Sequence, residues 1–151
     1  MAAEQLSPEV CRTAARLGRQ MEFALANAGI TLPQYRLLSL MSEGSSAGAV
    51  LADKLRVSRP TVTGIIDGLV GRGLVMREDD PDDRRRMRAT MTPEGEKILR
   101  RADAAVSGRL LELLGKVDPE RAATAIEGLR VIHDALDIRR EGKLQGTDAL
   151  A

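Results

Sequence analysis

A chain of 151 residues, 43% hydrophobic and 30% charged, has the size and composition of one soluble globular domain and excludes a disordered or bilayer-embedded protein. No apolar run approaches the roughly 20 residues that span a membrane, and the opening MAAEQLSPEV lacks the basic-then-apolar order of a secretory signal, so a cytoplasmic location is expected. Lysine plus arginine (23) nearly balance aspartate plus glutamate (22), so net charge names no partner, and a single cysteine excludes an intrachain disulfide.

From Pro8 to Ala28 the residues Val10, Ala14, Leu17, Met21, Ala24 and Ala28 recur at alternating steps of four and three, the seam of a helix that packs lengthwise on others. Gly29 ends it. Thr31, Pro33 and Gln34 open a second helix with a reciprocal cap, Leu37, Leu38 and Met41 give it a buried side, and Gly44 stops it. Ser45 and Ser46 are expected to cap a short third helix containing Leu51, Ala52 and Leu55. After a tight turn a fourth helix begins at Ser58, with Val62, Ile65, Ile66, Leu69 and Val70 on one face, and ends at Arg72 and Gly73.

There the period changes from 3.6 to 2. Leu74 and Met76 alternate with Val75 and Arg77, and Met87, Ala89 and Met91 alternate with Arg88 and Thr90, which predicts two short strands. Between them Asp79 to Arg86, DDPDDRRR, reads as a solvated hairpin tip. Thr92 and Pro93 start a fifth helix carrying Ile98, Leu99, Ala102, Val106, Leu110 and Leu113; Asp118 and Pro119 start a sixth carrying Ala122, Ile126, Leu129, Ile132 and Leu136. The tail REGKLQGTDALA is too polar and glycine-rich to predict order.

The fold class is therefore mainly α with a small β-wing: a winged helix-turn-helix with helical extensions. A helix capped by Ser58 and followed by Arg59, Thr61 and Thr63 offers donors at its first turn, where a recognition helix meets bases and phosphates. Basic residues gather around residues 77 to 88, and with only Phe23 and Tyr35 as aromatics the chain lacks stacking platforms for single strands. Duplex DNA is the expected partner.

Two segments, LADKLRVSRPTVTGIIDGLVGRGLV (Leu51 to Val75) and DRRRMRATMTPEG (Asp83 to Gly95), carry a resemblance to the MarR family of bacterial regulators that runs from about Leu17 to Leu136. The second is similar to the family's wing motif of Asp, any residue, Arg, five residues, then Leu-Thr, with Met91 in the leucine place. The resemblance implies a homodimer with recognition helices in successive major grooves and wings in flanking minor grooves. It implies a repressor, or less often an activator, released from a palindromic operator by a small aromatic or anionic effector. The expected organisation is residues 1–30 as a dimerisation helix, 31–92 as the DNA-binding region, 93–138 as dimerisation helices and 139–151 as a flexible tail.

DNA contacts are expected from Ser58, Arg59, Pro60, Thr61, Thr63 and Gly64 on the recognition helix, and from Asp83, Arg84, Arg85 and Arg86 in the wing, Arg85 first by family match. Where Gly64 and Gly68 stand, family members often carry longer polar residues, so this helix is short of long donors. The first, fifth and sixth helices bear more apolar stripe than one chain can cover. Val10, Ala14, Leu17, Met21, Val106, Leu110, Leu113, Ile126, Leu129 and Leu136 are the expected dimer interface, burying on the order of 2,000 to 5,000 Å². Arg16, Arg19, Met21, Leu25 and Tyr35 are candidates for an effector cleft, with a plain packing role equally open for each.

Enzyme chemistry, a cofactor and a metal are not expected: His133 is the lone histidine, and Asp79, Asp80, Asp82 and Asp83 are neutralised by adjacent arginines. Two alternatives stay open: a winged helix that contacts protein instead of DNA, and a regulator that senses oxidants through Cys11. For Cys11 the family's tyrosine support is thin, because Tyr35 is the only tyrosine.

Overall fold

The computed structural model describes the backbone of residues 6–82 and 87–147, with side chains for 6–82 and 88–137. Its elements are α1 (Pro8–Asn27), α2 (Leu32–Ser42), α3 (Gly48–Leu55), α4 (Arg59–Gly71), β1 (Val75–Asp79), β2 (Met87–Met91), α5 (Pro93–Leu114) and α6 (Pro119–Thr147). They form two compact units, one up to Arg109 and one from Leu110.

Local chemistry explains most boundaries. Ser7 Oγ accepts the Val10 N–H at the start of α1, and the chain leaves α1 through Gly29 at φ 83°, with the Ile30 N–H returning to the Leu25 carbonyl. At α2 the reciprocal cap forms as expected, Gln34 N–H to Thr31 Oγ1 at 3.4 Å and Thr31 N–H to Gln34 Oε1 at 3.2 Å. Thr92 caps α5 by accepting the Gly95 N–H, and its hydroxyl donates to the Gly73 carbonyl, so one side chain fastens α5 to the loop before β1. Asp118 accepts the Arg121 N–H at the start of α6.

The core of the first unit is built from Leu25, Leu37, Leu38, Leu51, Val62, Leu69 and Val75, all fully buried. At about 1.5–3 kcal/mol for each large aliphatic side chain removed from water, this cluster is the main stabilising term. Leu99 and Ala102 of α5 join it. Gly95 allows their approach: a Cβ there would land on the Leu74 carbonyl oxygen and lie 2.7 Å from Met91 Cγ.

Two expectations need correction. Ser45 and Ser46 do not cap α3; its cap is Ala47, which makes no side-chain bond. Ser45 is buried and accepts Lys54 Nζ at 2.7 Å, while the Ser46 carbonyl accepts the Ala89 N–H and Ala47 bridges Arg88. Tertiary pairing with β2 has claimed the backbone that a cap would have used. In the wing, where the alternation alone leaves the inward face open, Val75 is buried and Met76 is 46% exposed, with Val75 paired to Met91 and Arg77 to Ala89. Finally, α6 continues past residue 138 to Thr147, so that part of the tail has helical backbone. No described helix is long and apolar enough to cross a membrane.

Candidate nucleic-acid interface

The turn between α3 and α4 is closed by backbone alone. Arg56 adopts the left-handed conformation (φ 56°, ψ 46°), its N–H reaches the Asp53 carbonyl, and the Val57 N–H reaches the Ala52 carbonyl. A non-glycine residue pays roughly 1 kcal/mol or more for this conformation. The return is a sharp turn that places Ser58 at the cap of α4.

Ser58 Oγ accepts the Thr61 N–H at 3.2 Å and pairs with Thr61 Oγ1 at 2.8 Å. Pro60 lies in the first turn, where its missing N–H costs nothing. Ser58, Arg59, Pro60, Thr61, Thr63 and Gly64 are all exposed while Val62, Ile66 and Leu69 are buried, so the candidate contact residues share the outer side of a helix anchored by its inner one. Thr63 Oγ1 donates its proton to the Arg59 carbonyl at 3.0 Å, which leaves that hydroxyl as an acceptor towards any partner. A Cβ on Gly64 would meet nothing within 4 Å, so the chain's own packing does not require glycine there.

Beside α4, β1 and β2 pair antiparallel, and Thr90 Oγ1 donates to Glu78 Oε2 across them. The Asp82 N–H turns back to Asp80 Oδ1 at the edge of the tip. Asp83, Arg84, Arg85 and Arg86 lie outside the described residues.

Two charged links were not legible in the sequence. Arg77 of β1 meets Asp67 of α4 at 2.6 Å, and Arg72, the C-cap of α4, bonds Gly29 and Gln34 across the fold. Both join residues distant in sequence, where no periodic pattern points.

The candidate effector residues are only partly brought together. Leu25 is fully enclosed in the core and takes the packing role rather than a place in an open cleft, because it falls on the inner side of α1 beside Ala24. Arg16 is exposed and Met21 half-buried. Tyr35 donates to Asp103 Oδ1 at 2.7 Å; burial first, and then Asp103, push its pKa up to about 12. Arg19 instead borders an open groove of about 390 Å³ with Glu22, Phe23, Ala26, Ile30, Thr31, Leu32 and Pro33.

Of the candidate interface residues, Val10, Ile126, Leu129 and Leu136 are exposed, and Leu17, Met21, Val106, Leu110 and Leu113 are half-buried. Ala14 is exposed too. Cys11 is an exposed free thiol, and His133 pairs with Asp137 one turn on. Among the described residues no group of three or more His, Cys, Asp or Glu side chains is placed to hold a metal.

A sequence model of the MarR family matches residues 30–87. The HTH-type transcriptional regulator FarR of Neisseria gonorrhoeae is 33% identical over 117 residues, which cover 75% of this chain and 80% of FarR. The chain belongs to the MarR family. It is thus a DNA-binding transcriptional regulator of the winged-helix type. Apo MarR from Escherichia coli has the same fold, with a TM-score of 0.74 at 22% identity over 85% of this chain and 98% of that one. CouR from Rhodococcus jostii RHA1, solved bound to p-coumaroyl-CoA, matches with a TM-score of 0.63 at 24% identity, covering 86% of this chain and 95% of that one.

Proposed function

We propose that this MarR-family chain is a cytoplasmic, homodimeric repressor that holds a palindromic operator through the first turn of α4 and the wing, and releases it when a small aromatic or anionic effector binds. The carrying observation is the exposed stretch from Ser58 to Gly64 on a helix fixed by Val62, Ile66 and Leu69. Ser58, Arg59, Pro60, Thr61, Thr63 and Gly64 take the major groove, and Asp83, Arg84, Arg85 and Arg86 the wing contacts.

The dimer reading is supported within the second unit by Ile126, Leu129 and Leu136, which fall on one stripe of α6 and remain 37–54% exposed. A monomer gains nothing from leaving such a stripe in water. Arg16, Arg19, Met21 and Tyr35 stay as effector candidates, and CouR, of the same fold, was solved bound to p-coumaroyl-CoA, which supports a small-molecule ligand here.

A mobility-shift titration against the DNA upstream of the chain's own gene tests the reading. Retarded complexes that appear with the stoichiometry of two chains per site, and protect a sequence with dyad symmetry, are expected. Retardation that is equal for any duplex, or a protected site without a dyad, would reject it.

A further inference from the structure

Asp67 lies one turn after Thr63 on α4, on the flank that faces β1. Its Oδ1 stands 2.6 Å from Arg77 Nη2. Arg77 follows the buried Val75 by two residues, so both project from the same face of β1; Val75 is the last buried residue of that strand, and Arg77, paired with the buried Ala89, carries the face out towards α4. The two side chains stay 55% and 37% exposed, so the pair contributes little to stability. Its location is the informative property. It occupies the strip between the outer side of α4 and the wing, the two regions that the proposed function sets against the duplex. A free guanidinium there would find phosphates, and a phosphate contact carries no sequence information.

We propose that Asp67 is a specificity-determining residue: its carboxylate retains the Arg77 guanidinium on the protein, so the strip between α4 and the wing makes no sequence-independent grip on the backbone. The proposal rests on the reading that α4 and the wing face DNA. Asp67→Asn keeps the shape and frees Arg77 to add a phosphate contact. Arg77→Gln removes the cation that the first change would free.

Binding of a labelled random-sequence duplex of about 30 bp, followed by anisotropy between roughly 50 and 300 mM KCl, separates the possibilities. Asp67→Asn is expected to bind this duplex about 3- to 10-fold tighter, with a log-log salt slope steeper by about 0.9 per chain, one extra phosphate. Adding Arg77→Gln should abolish both gains. If Asp67→Asn binds no tighter, or if the double variant keeps the gain, the carboxylate does not act by retaining Arg77 and the proposal falls. Arg59→Gln is the control for the underlying reading: a salt slope equal to that of the unsubstituted chain would overturn the placement of α4 on DNA instead.

Discussion

Arg72 Nη2 donates to the Gly29 carbonyl oxygen at 2.7 Å, tying the end of α4 to the corner between α1 and α2. Its Nη1 reaches Gln34 Oε1 at 3.3 Å, the same oxygen that accepts the Thr31 N–H, so one amide serves both the cap of α2 and the clasp on α4. Arg72→Ala and Gln34→Ala should each cost about 1 kcal/mol in urea unfolding. Because the two side chains bond each other, the double variant should lose less than the sum of the two. Strict additivity would show that the clasp does not operate.

Gly95→Ala should be among the most disruptive single-methyl changes in the chain. The new Cβ meets backbone at Leu74 and the Met91 side chain at 2.7 Å, and backbone cannot swing aside. A loss of roughly 1–3 kcal/mol is expected, read as a fall in melting temperature. Gly64→Ala, with nothing within 4 Å, should leave stability unchanged or slightly raise it.

Tyr35 is the only tyrosine and the chain has no tryptophan, so phenolate absorbance reports one residue. Folding raises its pKa to about 12 from an unfolded value near 10. The neutral phenol is thus favoured by the fold: its contribution is fully present below about pH 10 and is lost as pH rises through about 12. The native protein should titrate near 12, and Asp103→Asn should lower that value only in part, since burial is the larger cause. A native midpoint near 10 would contradict the half-buried ring and its bonded hydroxyl.

Leu129→Asp tests the dimer. Leu129 is 38% exposed within one chain, so a carboxylate there stays hydrated in an isolated protomer. Buried against a partner and unpaired, it would cost several kcal/mol. Sedimentation should therefore show a dimer for the unsubstituted protein and a folded monomer for the variant. An unchanged dimer would move the interface elsewhere.

Helix boundaries were readable wherever a side chain closes the backbone locally. Thr31 with Gln34, Ser58, Thr92 and Asp118 all bond as their spacing implies. Reading failed where a distant strand outbid a local cap, as at Ser45 and Ser46, and where a two-residue period left the inward face of β1 undecided between Val75 and Met76. At Leu25 the pattern leaves packing and cleft equally open. Apolar residues at helical spacing show that a face is covered, and the covering here is the chain's own core. On the candidate interface, Ser58 to Gly64 was legible from the cap and the turn, whereas Asp67 with Arg77 needed three dimensions.

The brace between Ser46–Ala47 and Arg88–Ala89 joins β2 to the segment that leads directly into α3. Through it the hairpin and the helix-turn-helix form a single template, with no free hinge at the described part of the wing. If both regions meet DNA as proposed, they are fitted to it together and not one after the other. On the proposed function, a duplex whose groove spacing suits α4 and misplaces the wing would be penalised as a whole, and binding would depend on the pitch and width of the double helix as well as on its bases.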